Sequence, residues 1–186
     1  YYLGLNGTVK FAPATLHAGF LYNFGQFTGP GVTDVKIGGW AARLRADGKV
    51  GPGNAFLEGL YVSGDDNVGD KKYKSIVTGS DYANLTSYYF TPDLMILFPN
   101  IDMINSATAL VLNPSNGGRG VWLLAGGYNQ KFTDKISGKI GLGYLAADKK
   151  RKSSATTEAK GTGMGTEING NVNYNITKGL DFGVYG

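Results

Sequence analysis

The sequence predicts an all-β chain, an antiparallel up-and-down barrel segment of about eight strands, on three observations. Apolar and polar residues alternate with period two over stretches longer than the ~5–6 residues of an ordinary soluble strand. No amphipathic helix interrupts them. Every second connection is short. The composition agrees: the 186 residues are 42% apolar, 12% aromatic and only 17% charged, as an ordered chain requires. The 30 glycines lack the every-third-residue period of collagen.

The strands follow in order. In the first, Tyr1, Leu3, Leu5, Val9 and Phe11 oppose Tyr2, Gly4, Asn6, Thr8 and Lys10. After Pro13, Leu16, Ala18, Phe20, Tyr22 and Phe24 oppose Thr15, His17, Gly19, Asn23 and Gly25. Over 34–46 Val35 and Ile37 precede Gly38-Gly39 while Trp40, Ala42 and Leu44 follow it, a parity slip that predicts a bulge. The 55–63 strand sets Leu57 and Tyr61 against Glu58, with Phe56 and Leu60 open to either face. Over 120–132, Trp122, Leu124, Tyr128 and Phe132 oppose Asn129 and Lys131. Ile136, Ile140, Leu142 and Tyr144 then oppose Lys135, Ser137, Lys139, Gly141 and Gly143. The clearest alternation sets Met164, Ile168, Val172, Tyr174 and Ile176 against Glu167, Asn169, Asn171, Asn173 and Asn175. Leu180, Phe182 and Val184 oppose Asp181, Gly183 and Tyr185 in the last strand.

The connections are tight at 12–13, medium at 28–33, short at 47–54 and very long at 64–119; then tight at 133–134, long at 147–161 and tight at 177–179. A meander puts alternate connections at opposite rims, so one rim is trimmed and the other elaborated, the asymmetry of transmembrane β-barrels. Strands of about 12 residues tilted by ~40° cover the apolar band of an outer membrane. Aromatic residues gather at both levels: Tyr22, Phe24, Tyr61, Trp122 and Tyr144 toward the long connections, Phe11, Phe132 and Tyr174 beside the tight turns. Trp40 falls mid-strand, outside both girdles. The face opposite is rich in Gly, Asn, Thr and Ser, which suits a water-filled interior. Both chain ends fall at the elaborated rim, whereas complete bacterial barrels begin and end in the periplasm, so the expected parent barrel has ten or more strands. If 82–91 and 107–113 also span, the chain supplies ten strands rather than eight. Residues 1–186 are expected to form one barrel segment with a long outer loop at 64–119.

Four stretches carry a resemblance: Phe56-Leu-Glu-Gly-Leu-Tyr-Val-Ser-Gly-Asp-Asp66, Asp93-Leu-Met-Ile-Leu, Gly118-Arg-Gly120 before a strand, and Asn173-Tyr-Asn175. Together they resemble bacterial outer-membrane porins of the alginate-export type. That resemblance implies a large monomeric barrel whose basic lumen passes anionic polymers or small solutes, although few arginines stand in this chain.

The expected lining of the path is Lys10, His17, Lys36, Arg43, Arg45, Glu58, Lys131, Lys139, Glu167, Asn169, Asn171, Asn173 and Asp181. Cations outnumber acids among them, and like charges inside a low-dielectric wall focus a potential, so a mild anion preference is expected. Arg43 and Arg45, two apart and on one face, are the pair expected to line or constrict it. The connection 64–119 is too long to be idle, and its apolar parts 88–90, 94–98 and 109–112 predict that it folds inward as a constriction. Segment 64–70 gathers three carboxylates but lacks the EF-hand spacing, so it reads as a solvated loop rather than a Ca²⁺ site. The basic run 148–152 reads first as an ordinary charged loop, at the rim where lipopolysaccharide phosphates would sit.

Other functions are excluded or disfavoured. With no Cys there is no disulfide, thiolate metal site or cysteine nucleophile. His17 is the single His, and no nucleophile and orienting acid accompany it in the pattern of a hydrolase. No apolar run reaches the ~18 residues of a transmembrane helix. The net charge of +4 is too mild for nucleic acid. The expectation is a bacterial outer-membrane channel for hydrophilic, anionic solutes, without enzyme activity, metal or cofactor, in contact with outer-membrane lipid and lipopolysaccharide. Two rivals stand beside it: a barrel sheathing a partner such as a conduit cytochrome, and a soluble β-rich adhesin or carbohydrate-binding module.

Overall fold

Long alternating strands cannot satisfy their backbone groups singly, and here they do so by pairing with their chain neighbours. The computed structural model describes residues 1–30, 32–67, 69–77, 94, 96–97, 115–150, 152–154, 157–158 and 161–186. The long strands are β1 (Tyr2–Phe11), β2 (Ala14–Gly29), β3 (Val32–Val50), β4 (Gly53–Val62), β6 (Val121–Lys131), β7 (Ile136–Ala146), β10 (Gly163–Thr177) and β11 (Leu180–Tyr185). They form one sheet in the order β1-β2-β3-β4-β6-β7-β10-β11, each pair antiparallel. Short β5 (Lys72–Tyr73) runs parallel to β3, pairing with Lys36 and Ile37, and β8 (Lys152–Ser154) and β9 (Thr157–Glu158) make a separate small hairpin. This is the up-and-down meander of a barrel wall. No helix among the described residues is long and apolar enough to cross a membrane.

Two expectations change. The bulge at Gly38-Gly39 is absent: β2 and β3 stay in continuous register from Ala14↔Gly48 to Phe27↔Val35, and the irregularity lies between Phe27 and Gly29. The connection expected at 28–33 also shrinks to residues 30–31, because β2 and β3 extend past the other strands as one long hairpin. The possible spans 82–91 and 107–113 lie outside the described residues.

Because register is continuous, partners across each pair share a face. One face carries Leu3, Leu5, Val9, Leu44, Leu57, Leu124, Ile140, Leu142, Ile168, Val172 and Phe182, all exposed. Trp40 belongs to this face and is no outlier. It pairs with Tyr22, lies 4.5 Å from Tyr61 and 6.2 Å from Phe20 between ring centroids, and so joins the aromatic band that Trp122 and Tyr144 continue at 5.2 Å.

The other face divides by height. Toward the long connections it is apolar and buried: Ala41, Leu60, Val62, Val121, Leu123 and Leu145 pack with Ile76, Leu94 and Leu97 from the 64–119 connection. That connection does fold back against the polar face at its described residues. Asn23 accepts from the Val77 N–H at 3.0 Å, the Tyr2 hydroxyl donates to the Val77 carbonyl, and Ser63 Oγ donates to the Lys74 carbonyl at 2.7 Å. A Cβ on Gly39 would stand 2.3 Å from the Ser75 backbone, so this close approach requires glycine there. Phe56 and Leu60, open to either face by sequence, point to this side.

Candidate pore-lining site

Glu58 sits on β4 directly opposite Arg45 of β3, with Arg43 one step along the same face. Its side chain has no exposure and bridges both arginines: Arg43 Nε donates at 2.7 Å and Arg45 Nη1 at 3.0 Å. Arg45 also grips Asp47, with Nε and Nη2 each donating at 2.8 Å to one of its oxygens. Asp47 Oδ2 lies 3.7 Å from His17 Nε2, and His17 Nδ1 is 3.0 Å from Thr8 Oγ1. The outcome is a polar chain crossing β1 to β4. Bridged, half-buried ion pairs of this kind hold each other's geometry and cost dearly if one member is removed.

Arg45 further stacks over Phe56, its Cζ 4.2 Å from the ring centroid, and Lys139 Nζ approaches the same ring at 5.9 Å. That contact keeps an aromatic ring buried on an otherwise polar wall. Higher up, Glu167 accepts from the N–H groups of Ile96 and Leu97 at 3.0 and 2.8 Å and from Asn169 Nδ2 at 2.8 Å.

Of the residues expected to line the path, Lys10, His17, Arg43, Arg45, Glu58, Lys131, Lys139, Glu167, Asn169, Asn171, Asn173 and Asp181 share this face. Lys36 does not. Without a bulge its even position puts it with Trp40 on the apolar face, near the tip of the long hairpin, where β3 pairs with β5. Arg43 and Arg45, expected as the lining cations, are tied to Glu58 and Asp47. Asp47 and Phe56 were missed, although Asp47 stands two residues from Arg45 and shares its face by parity alone. Leu94 and Leu97 had no comparable signal.

At the elaborated rim, the acids of 64–70 turn to protein partners. Asp66 and Asp70 lie 3.0 and 3.7 Å from Lys74, and Asp65 accepts from the Asn67 N–H at 3.3 Å. Burial, with Asp70 and Asp66 acting the same way, holds the Asp65 carboxyl above its ordinary pKa against the pull of the Asn67 N–H and Lys74. In the basic run, Asp148 accepts from the Gly64 N–H at 2.8 Å. No trio of His, Asp or Glu among the described residues is arranged for a metal.

The model of the porin subfamily matches residues 14–184. The chain belongs to the porin subfamily. As a porin it belongs to the bacterial outer membrane, and its sheet is an antiparallel up-and-down barrel wall. A crystal structure of Acinetobacter baumannii OccAB4 is similar to this porin chain at 17% identity and a TM-score of 0.48, over 99% of this chain and 40% of that one. The porin chain thus spans about two-fifths of that protein's length. No curated protein matches it.

Proposed function

We propose that residues 1–186 act as one segment of a diffusion pore that passes hydrophilic, anionic solutes down their gradient, with no covalent chemistry and no cofactor. The observation that carries this reading is the division of one sheet into an exposed apolar face and an opposite face holding the Arg43–Glu58–Arg45–Asp47 chain. The first suits lipid tails and the second suits water. In this reading the aromatic bands meet the headgroups, and the basic run 148–152 meets lipopolysaccharide phosphates.

The anion preference rests on what remains after pairing. The two carboxylates of the bridge balance its two guanidiniums, and Glu167 is occupied by backbone N–H groups. Lys10 and Lys131, with Lys49 on the same face, then outnumber Asp181 toward the tight-turn rim. A surplus of one sign in a narrow aqueous path biases permeation.

The test is reconstitution of the intact porin in planar bilayers with a KCl gradient. Discrete conductance steps with a reversal potential favouring Cl⁻ are expected. Preference for K⁺ would overturn the anionic class, and an absence of conductance would favour a sheath around a partner protein.

A further inference from the structure

We infer that Glu167 and Gly143 form a docking socket for Leu94, Ile96 and Leu97, and that Glu167 is the positioning residue that holds them inside the path. The inference rests on the pore reading above and deepens it. Two kinds of contact converge. The first is polar: one oxygen of Glu167, a side chain buried to 7% exposure, accepts from two successive backbone N–H groups, Ile96 and Leu97. Its other oxygen accepts from Asn169, two residues along the same face, which fixes the carboxylate plane. Backbone N–H groups that pair with no strand need another acceptor, and Glu167 supplies one to both Ile96 and Leu97.

The second contact is steric. Leu94 is fully buried, and a Cβ on Gly143 would lie 2.6 Å from one of its methyl carbons, so any larger residue there pushes that side chain aside. Gly143 is the cross-strand partner of Glu167. The carboxylate and the leucine hole are thus one site, spread over two neighbouring strands. Leu97 adds a third point in the same buried cluster. A segment held at two backbone donors and one side-chain knob stays put against the flow of solute, whereas an apolar contact alone slides.

Glu167→Gln keeps the shape but weakens both charge-assisted bonds. In bilayers it is expected to raise single-channel conductance about twofold and to add open-channel noise, as a constriction loosens. Gly143→Val, which fills the leucine hole, should do the same by a separate route. Heat-modifiable mobility on gels reports whether each variant still forms a barrel. Because the chain lacks cysteine, Leu94→Cys with Gly143→Cys can be added to Glu167→Gln. Oxidation should then restore the wild-type conductance and quiet the noise, and reduction should reverse it.

Folded variants with wild-type conductance and noise would overturn the socket while leaving the pore reading standing. Failure of the oxidised pair to restore conductance would overturn it as well. A wild-type protein giving no conductance steps would overturn the pore reading and this inference together.

Discussion

The two halves of the polar face make an instructive pair. Near the tight turns the wall carries Lys10, His17, Arg45, Asp47, Lys139, Asn171 and Asn173, held by ion pairs and amides. Near the long connections the same face carries Leu60, Val62, Leu123 and Leu145, buried under Ile76, Leu94 and Leu97. Both halves obey one alternation, so parity decides which way a side chain points but not what it meets there. What it meets is decided by the 64–119 connection, which brings its own apolar residues to one half and leaves the other to polar partners.

The comparison can be broken at four places. The largest effect is expected from Glu58→Ala. It strips both Arg43 and Arg45 of their shared carboxylate in a buried position, and losing one member of such a network costs about 3–5 kcal/mol, toward the low end where water can reach the arginines. Denaturant unfolding in detergent micelles should show that loss, and reversal potentials should move toward anions because two positive charges lose their counter-charge.

Next is Leu145→Ala, in the half covered by the connection. A fully buried leucine at 0% exposure truncated to alanine costs about 2–5 kcal/mol through transfer and cavity. Lys131→Ala, in the other half, should change stability by no more than about 0.5 kcal/mol. Equal losses for the two would erase the distinction between the halves.

The third contrast sets face against face. Leu142→Arg on the exposed apolar side should cost about 2–4 kcal/mol in a bilayer, while Asn171→Arg on the polar side should fold as well as the parent. Quantitative refolding into liposomes separates them.

The smallest effect is at the rim. Burial raises the folded pKa of Asp65, so its ionised form is disfavoured in the fold and the penalty is fully present above that raised pKa. It fades as pH falls through the folded value and is gone below the unfolded one. Asp65→Asn should therefore be neutral at acid pH and mildly stabilising above the raised pKa, where the native carboxyl is charged. Destabilisation at pH 7 would contradict this assignment.

Much of this was legible in sequence, for a definite reason. Strand alternation with period two is a local property, so Ile168, Val172 and Tyr174 against Glu167, Asn169 and Asn171 could be sorted without knowing the neighbours. Lys36 was misplaced by one inference, the supposed bulge at Gly38-Gly39, whereas Trp40 stands on the face it shares by parity with Ala42 and Leu44. Two glycines interrupt the apolar pattern there, yet the register runs straight through because Gly39 is small to admit the Ser75 backbone, not to allow an extra residue. Val35 and Ile37 therefore lie on the polar face near β5, where apolar residues from the connection gather. Tertiary cover, absent from any local pattern, explains both the error and the buried leucines. The docking of Leu94 onto Gly143 likewise joins residues far apart in the chain, and no spacing rule links them.

The most direct test of the two-faced wall is an accessibility scan along β10. In the cysteine-free parent, single cysteines carrying a nitroxide at 168 through 174 would be probed with dissolved oxygen and a water-soluble nickel chelate in liposomes. The expected result is alternation, with 168, 170, 172 and 174 reached by oxygen and 171 and 173 by the chelate, 169 being shielded beside Glu167. Uniform accessibility along the strand, or alternation of the opposite phase, would contradict it.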